Sequence, residues 1–383
     1  MRNANGEGSI YQWKRNGKPD GYKGAISYKD ENGDPKRYVA YGRTRKDVKD
    51  KLDKARERLN AGAPVKDATR SVADWLAHWR ATSLAVSDRK ESTRALYATL
   101  CRKHLEPVPF GAITLDKLRP SDIEALVLAL RANRLSDSTI RQVYTILRAG
   151  LDGAVRDGLV SRNAAALVKR PGTQRREARH LDAGGVAAVL KAAETSRYHI
   201  ALVLIAATGL RRGECLALRW DTDVLNLDEG WLKVRKTLGR VGNQLVFSEP
   251  KTDRSRRTVP LSPAVVAMLR KHRTEQKAER LRAGNQWQDS DLVFTTEFGG
   301  AVDPRNLLRV VEAAAEKAGV DGVGVHTLRH SIAVGWLESG VHIKAVADLL
   351  GHSSINITGD IYGHTTDTAA RGAVDGWSGA LGL

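Results

Sequence analysis

The apolar residues of this 383-residue chain occur in many short segments, and this pattern restricts what it can fold into. Apolar side chains make up 42% of the sequence, enough for packed cores, but the longest apolar stretch spans only about residues 200–210. A membrane helix needs roughly 20 apolar residues, so none is expected. The chain is also longer than one typical domain of roughly 100–200 residues. We therefore expect a water-soluble protein with several domains.

Positive charge is the second constraint on the chain. Lys and Arg number 62 against 44 Asp and Glu, a formal net charge of +18, which favours polyanionic partners. The first residues, MRNANGEGSI, lack the apolar segment of a signal peptide, so we expect an intracellular protein. Two cysteines, Cys101 and Cys215, cannot form a disulfide framework or, alone, a four-ligand zinc site.

Residues 1–66 are predicted to form a small module. The segments SIYQWK, GYKGAISYK and PKRYVAYG are separated by turn-forming residues, which predicts a three-stranded antiparallel meander. A helix capped by Thr44 should follow. Its basic, aromatic sheet suits a nucleic-acid groove, although a solvated surface around packed tyrosines is the alternative. The candidate DNA contacts on this sheet are Lys14, Arg15, Lys36 and Arg37.

The remainder of the chain divides into a helical part, a linker and a mixed part. Apolar periodicity over 67–168 predicts an all-α domain, with helices at 71–79, 92–104, 120–130 and 136–155. KRPGTQRREARH, residues 169–180, predicts a basic linker or an ordinary solvated connector, with Arg175 and Arg176 as candidate DNA contacts. Residues 181–383 predict a mixed, mainly helical domain.

Short strand-like segments, GWLKVRKTL, QLVFSEP and RRTVPL, predict a small antiparallel sheet in this last domain. Its helices are expected at 183–193, 200–220, 263–282, 304–318, 327–339, 343–350 and 354–362. The fold class predicted for the whole chain is therefore α+β and multidomain.

Three common catalytic motifs are absent from the sequence. It contains no GxxxxGK[ST] loop and no dense carboxylate cluster that suggests a two-metal nuclease. The segment HTLRH resembles HExxH in spacing, but Thr327 stands where a zinc protease needs its glutamate. We therefore expect neither a metal nor a cofactor, and chemistry on phosphates by side chains alone.

Such chemistry needs cations for the non-bridging oxygens, an in-line nucleophile and a proton donor for the leaving oxygen. Four segments supply such groups: ATGLRRGECLALRW with Arg211 and Glu214, EPKTDRSRRTVPL with Lys251, HTLRH with His326 and Arg329, and LLGHSSINITGDIYGH with His352 and Tyr362. Each of these residues alone has an ordinary structural explanation, whereas their joint occurrence in this order does not.

TGLRRGE, HTLRH, LLGHSS and DIYGH resemble the boxes of the tyrosine recombinases, specifically the phage-type integrases, in order, spacing and residue type. The resemblance is most specific over about residues 181–370. It implies a small β-sheet-plus-helix arm-binding domain at 1–66, an all-α core-binding domain at 67–168, and a catalytic domain at 181–383. It also implies that the tail after Tyr362 docks on a neighbouring protomer.

The resemblance also implies roles for the site residues. Arg211 and Arg329 would clamp the scissile phosphate, with His326 in acid–base support. His352 would bind a non-bridging oxygen. Lys251 would protonate the leaving 5′ oxygen, Tyr362 would attack to give a 3′-phosphotyrosine, and Glu214 would orient the catalytic arginine or histidine. Arg254 and Arg256 are further candidate DNA contacts beside the general acid.

The function implied is site-specific recombination that integrates, and excises, a mobile element through a Holliday junction. The implied partners are double-stranded DNA at core and arm attachment sites, three further copies of the chain in a homotetramer, an excisionase and a host DNA-bending protein. The implied location is the nucleoid in the cytoplasm of a bacterial host. Two alternatives stay open at this point, namely a monomeric swivelling topoisomerase and a non-catalytic architectural DNA-binding protein.

Overall fold

The computed structural model describes residues 10–15, 18–29, 35–60, 70–173, 179–250, 255–352 and 359. The chain forms two compact units, residues 1–175 and 176–383. Their boundary lies inside the predicted linker of residues 169–180. The finer division of the first unit into two domains stays a prediction.

The first unit begins with a three-stranded antiparallel meander followed by a helix, as predicted. Its elements are β1 (Ile10–Arg15), β2 (Lys18–Lys29), β3 (Pro35–Gly42) and α1 (Arg45–Asn60). The predicted cap is confirmed, because Thr44 Oγ1 accepts from the Asp47 amide at 3.1 Å and the Asp47 carboxylate accepts from the Thr44 amide at 3.2 Å. The apolar face of α1 packs on the sheet around Ile26 and Val48.

Helices form most of the rest of this unit. They are α2 (Val72–Ala81), α3 (Glu91–Leu100), α4 (Pro120–Ala132) and α5 (Asp137–Arg156). The side chains of Ser71 and Ser136 cap α2 and α5, as hydroxyls at this position commonly do. The prediction of one helix over 92–104 is wrong in its last turn, because the backbone widens into a π-helical turn at Cys101–Leu105.

The second unit is mainly helical. Its helices are α6 (Ala183–Ala192), α7 (His199–Thr208), α8 (Arg212–Leu216), α9 (Pro263–Ala283), α10 (Pro304–Lys317), α11 (Val325–Glu338) and α12 (Ile343–Leu350). The prediction of a single helix over 200–220 is wrong, because Gly209 ends α7 with a left-handed φ of 65°. A side chain there would also collide with a neighbour, since an added Cβ would lie 2.6 Å from Leu350 Cδ2.

Two small antiparallel sheets accompany these helices. Their strands are β4 (Leu225–Asn226), β5 (Trp231–Lys233), β6 (Thr237–Val241), β7 (Gln244–Ser248) and β8 (Thr258–Pro260). One sheet has the order β4-β5-β8, and β6 pairs with β7 in the other. The predicted strand GWLKVRKTL therefore divides into β5 and β6, and the single predicted sheet becomes two. Helices with small antiparallel sheets agree with the predicted α+β class.

A continuous apolar core supports both the turn between α7 and α8 and the beginning of α11. Leu202, Leu216 and Leu328 are fully buried in it. Because protein cores are close-packed, these elements keep fixed relative positions. Over the residues that the structure describes, no helix is long and apolar enough to cross a membrane.

Candidate active site

Guanidinium groups from three separate segments meet at the C-terminal end of α12. The three consecutive carbonyls of residues 349–351 accept hydrogen bonds from Arg257, Arg329 and Arg211, in that order, at 2.5, 2.6 and 3.0 Å. The last carbonyls of a helix lack partners within it and carry the negative end of its dipole. The end of α12 is therefore a natural place to hold positive side chains.

Arg211 is positioned by the break between α7 and α8. It is the N-cap residue of α8, and its amide donates to Glu214 Oε2 at 2.9 Å while its Nη1 donates to Glu214 Oε1 at 2.7 Å. Its side chain keeps 35% of its surface exposed. The guanidinium is therefore fixed by the protein and still accessible to a ligand.

Arg329 lies one turn after His326 on α11, as the predicted i, i+3 spacing requires. It is only 4% exposed. Its Nη1 donates to the carbonyl of Gly209, and its Nη2 donates to that of Leu350. Arg329 thus joins the turn before Arg211 to the end of α12, and it brings two predicted site segments together.

Glu214 is a buried carboxylate between two arginines. Besides Arg211, it binds Arg257, whose Nη2 and Nη1 lie 2.9 and 3.2 Å from its two oxygens. Burial alone would raise the pKa of Glu214, but the hydrogen bond and charge of Arg257 and the charge of Arg211 outweigh it and lower the pKa to about 2. Glu214 is therefore ionised at neutral pH, and it contacts Arg211.

The histidines of the site lie in a positive environment, in which His352 is buried and His326 is exposed. Partial desolvation, followed by the charges of Arg329, Arg212 and Arg211, lowers the pKa of His326. Burial and the charges of Arg329 and Arg211 lower the pKa of His352 to about 4. Both imidazoles are therefore neutral near pH 7, so each can donate one hydrogen bond and accept another.

Several other predicted site residues lie outside the described part of the chain, namely Lys251, Tyr362, Arg175, Arg176 and Arg254. Their assignments stay predictions. The strands on either side of Lys251 are described. β7 precedes it and β8 follows it, and these two strands belong to different sheets. Lys251 was predicted in a turn between two strands, and the chain that contains it connects one sheet to the other.

The structure describes the side chains of two predicted DNA contacts, Arg37 and Arg256. Lys14 and Arg15 lie in β1 and Lys36 lies in β3, but only their backbones are described. Arg37 is exposed on β3. Arg256 is also exposed, and its Nη2 lies 2.6 Å from a carboxylate oxygen of the exposed Glu249.

Arg257 was not assigned a role from the sequence, although it contacts Glu214 and α12. Its side chain is 6% exposed. The signal was strand alternation: Arg257 lies directly before β8 and two residues before the buried Val259 in RRTVPL, so it is expected to point inward like Val259. In the sequence it was only one of several arginines near Lys251.

Metal binding has no support among the residues that the structure describes. Within the described ranges, no group of three His, Cys, Asp or Glu side chains could hold a metal ion. What the described site offers instead is three fixed guanidinium groups, two neutral imidazoles and a buried carboxylate. Such a set can bind the oxygens of a phosphate and move protons beside it.

Comparisons with known proteins agree with this chemistry. The sequence model of the phage integrase family matches residues 179–369. The chain is 29% identical to a tyrosine recombinase XerC-like protein of Caldanaerobacter subterraneus subsp. tengcongensis, over 91% of this chain and 93% of that protein. It is 30% identical to an integrase of Streptomyces ambofaciens, over 84% of this chain and 83% of that one.

A solved structure shares the fold. It is the Tn1549 transposon integrase in complex with transposon right end DNA, with a TM-score of 0.66, 20% identity, and coverage of 80% of this chain and 98% of that one. The sequence similarity to the two relatives extends well beyond residues 179–369 into the first unit.

Proposed function

Since this chain belongs to the phage integrase family and is a tyrosine-type site-specific DNA recombinase, we propose that Arg211 and Arg329 clamp the scissile phosphate. Tyr362 attacks the phosphorus, so that a bond forms to its phenolic oxygen while the bond to the 5′ oxygen breaks. Lys251 gives the departing 5′ oxygen a proton. The resulting 3′-phosphotyrosyl link conserves the energy of the broken bond, so rejoining needs no ATP.

One observation carries this proposal: Arg211 and Arg329, from different sequence motifs, donate to adjacent carbonyls at one helix end. Two guanidinium groups so placed can share the non-bridging oxygens of one phosphate. Because the protein holds both groups before DNA arrives, little reorganisation is needed as charge develops in the transition state.

The neutral histidines support the proton transfers. His326, whose pKa is lowered, can accept the proton that Tyr362 loses. His352, whose pKa is about 4, donates the hydrogen bond of a neutral imidazole to a non-bridging oxygen. Glu214 holds Arg211 in the geometry that the clamp requires.

Double-stranded DNA is the substrate in this proposal, at core and arm attachment sites. The net charge of +18 and the likeness to an integrase solved with transposon DNA support this choice. Strands exchange in two steps through a Holliday junction inside a homotetramer, which integrates a mobile element. An excisionase and a host DNA-bending protein assist excision, on the nucleoid in the bacterial cytoplasm.

The parts of the chain divide this work. Residues 1–66 bind arm sites, residues 67–168 and 181–383 bind the core site, residues 169–180 connect them along the DNA, and residues 363–383 dock on a neighbouring protomer. Tyr11 and Tyr41 pair with Lys23 across the first sheet, and Lys23 Nζ lies 5.3 Å from the centre of the Tyr41 ring. This aromatic, basic face supports its assignment to DNA.

Trapping the covalent intermediate tests the proposal. The protein is incubated with a nicked duplex taken from the DNA that flanks its coding sequence, and is then denatured. We expect a covalent protein–DNA band with the wild type and none with Tyr362→Phe. Tyr198→Phe, which changes a half-buried tyrosine just before α7, is the matched control and should keep the band.

Two outcomes would contradict the proposal. A protein that retards the duplex but forms no covalent band would be an architectural DNA-binding protein. A protein that relaxes supercoiled plasmid processively but never joins two sites would be a swivelling topoisomerase.

A further inference from the structure

The carboxylate of Glu214 is shared by two arginines that differ in accessibility. Each of its oxygens accepts one hydrogen bond from Arg211 and one from Arg257, with donor–acceptor distances between 2.7 and 3.2 Å. Arg211 keeps 35% of its side-chain surface exposed, whereas Arg257 keeps 6%. Only Arg211 of this pair can present a substantial surface to DNA.

The charges of these three groups suggest what Arg257 does. Glu214 and Arg211 alone form a neutral ion pair, which would attract a phosphate weakly. With Arg257 added, the three groups carry one net positive charge, and the exposed member is Arg211. A buried carboxylate also needs full compensation, which one arginine shared with a substrate could not give.

A second contact ties Arg257 to the clamp. Its Nε donates to the carbonyl of Leu349, the neighbour of the two carbonyls that hold Arg329 and Arg211. Arg257 also precedes β8, on the chain that follows the Lys251 segment. It therefore links that segment to the helix end where both clamp arginines are held.

We propose that Arg257 is a positioning residue of the phosphate clamp, which neutralises Glu214 and so leaves the charge of Arg211 for the DNA phosphate. Arg257 acts through Glu214, because its Nε donates to the Leu349 carbonyl and its Nη1 and Nη2 donate to the two Glu214 oxygens. This inference rests on the proposed function, because it assigns Arg211 to the scissile phosphate.

The test is a double-mutant cycle on the single-turnover rate of covalent adduct formation, with the nicked duplex described above. In Arg257→Gln the Glu214 carboxylate has Arg211 as its one remaining arginine partner, so it neutralises the charge of Arg211. We expect a rate of adduct formation about 100-fold below that of the wild type. Adding Glu214→Gln removes the carboxylate that competes with the DNA phosphate for Arg211. The double variant should therefore form the adduct at least about tenfold faster than Arg257→Gln. Glutamine keeps an acceptor for the Arg211 amide.

A merely structural role predicts the opposite sign, since a second buried substitution should add damage to the first. The inference is therefore wrong if Arg257→Gln reacts as fast as wild type, or if the double variant is no faster than Arg257→Gln. Arg270→Gln is the matched control: it removes an exposed arginine that pairs with Asp228 at 2.6 Å, and should react like wild type.

Arg257→Gln can fail to fold, because it leaves a buried carboxylate with one partner. The double variant removes both charges and should fold. If Arg257→Gln does not fold, the double variant is compared directly with the wild type. A rate within about tenfold of wild type supports the inference, and a slower rate overturns it. A wild-type protein that forms no adduct overturns the proposed function as well, so the two failures are distinguishable.

Discussion

The N-terminal sheet and the C-terminal end of α12 both carry cations, but in opposite environments. On the sheet, Arg37 is exposed and Lys23 lies over the Tyr41 ring. At the helix end, Arg329 is buried and donates to two backbone carbonyls. One region presents positive charge on a surface, whereas the other fixes it in place.

The difference teaches what each region can contribute. Exposed cations act on phosphates through a field that salt screens, so they add affinity with little demand on geometry. Buried guanidinium groups keep one geometry, so they can stabilise charge that develops at a single phosphate. Conservative substitutions should therefore cost far more at the helix end than on surfaces such as the sheet.

Arg329→Lys is expected to give the largest effect. Lysine keeps the charge but lacks the planar fork that bonds two carbonyls at once. We expect adduct formation to slow by at least about 100-fold. The free energy of unfolding should fall by about 1–3 kcal/mol, because a buried carbonyl loses its partner. Single-turnover assays and urea unfolding measure the two effects.

The matched control is Arg270→Lys, which makes the same change at an exposed arginine of α9. It should alter neither the rate nor the unfolding free energy measurably, since exposed pairs contribute little. Equal losses at the two positions would show that burial does not distinguish these arginines.

Much of the candidate site could be predicted from the sequence, because its residues occur in short motifs at fixed spacing. The His326–Arg329 spacing and the Leu-Gly-His segment both lead to the positions that the structure brings together. Arg257 was missed because only packing selects it from neighbouring arginines. The alternation that places it inward becomes evident once Val259 is known to be buried.

Fold predictions succeeded where local chemistry decides and failed where tertiary contacts do. Thr44 caps α1 because its hydroxyl can accept from the nearby Asp47 amide, and this local pairing was predicted from the sequence. The apolar run over 200–210 concealed the helix break at Gly209, whose carbonyl is held by Arg329 from a distant helix. That partner is invisible to local periodicity.

Three histidines of the second unit have lowered pKa values and should make stability depend on pH, a moderate effect. The pKa of His352 is about 4 in the folded protein against an ordinary 6.5, so between these values the unfolded chain binds a proton that the folded chain does not. This contribution is present above pH 6.5 and is lost as pH falls toward 4. We expect His352 alone to cost about 2 kcal/mol of stability between pH 7 and pH 5.

Thiol labelling in urea can measure this loss. In a Cys101→Ala background, the buried Cys215 reports unfolding of the second unit. His352→Gln should remove part of the pH dependence, while the lowered pKa values of His326 and His330 preserve the rest. A pH profile that His352→Gln leaves unchanged would rule out the assigned environment of this imidazole.

The smallest effect is expected on the sheet, from Arg37→Gln. If Arg37 neutralises one phosphate, the slope of log Kobs against log salt should become less negative by about 0.9. Affinity for a duplex at 0.1 M salt should fall by less than about tenfold. Lys54→Gln, on the exposed side of α1, is the control and should leave the slope unchanged. Equal changes in slope for both variants would mean that the sheet face holds no privileged position for DNA, and that only the summed charge of the module attracts it.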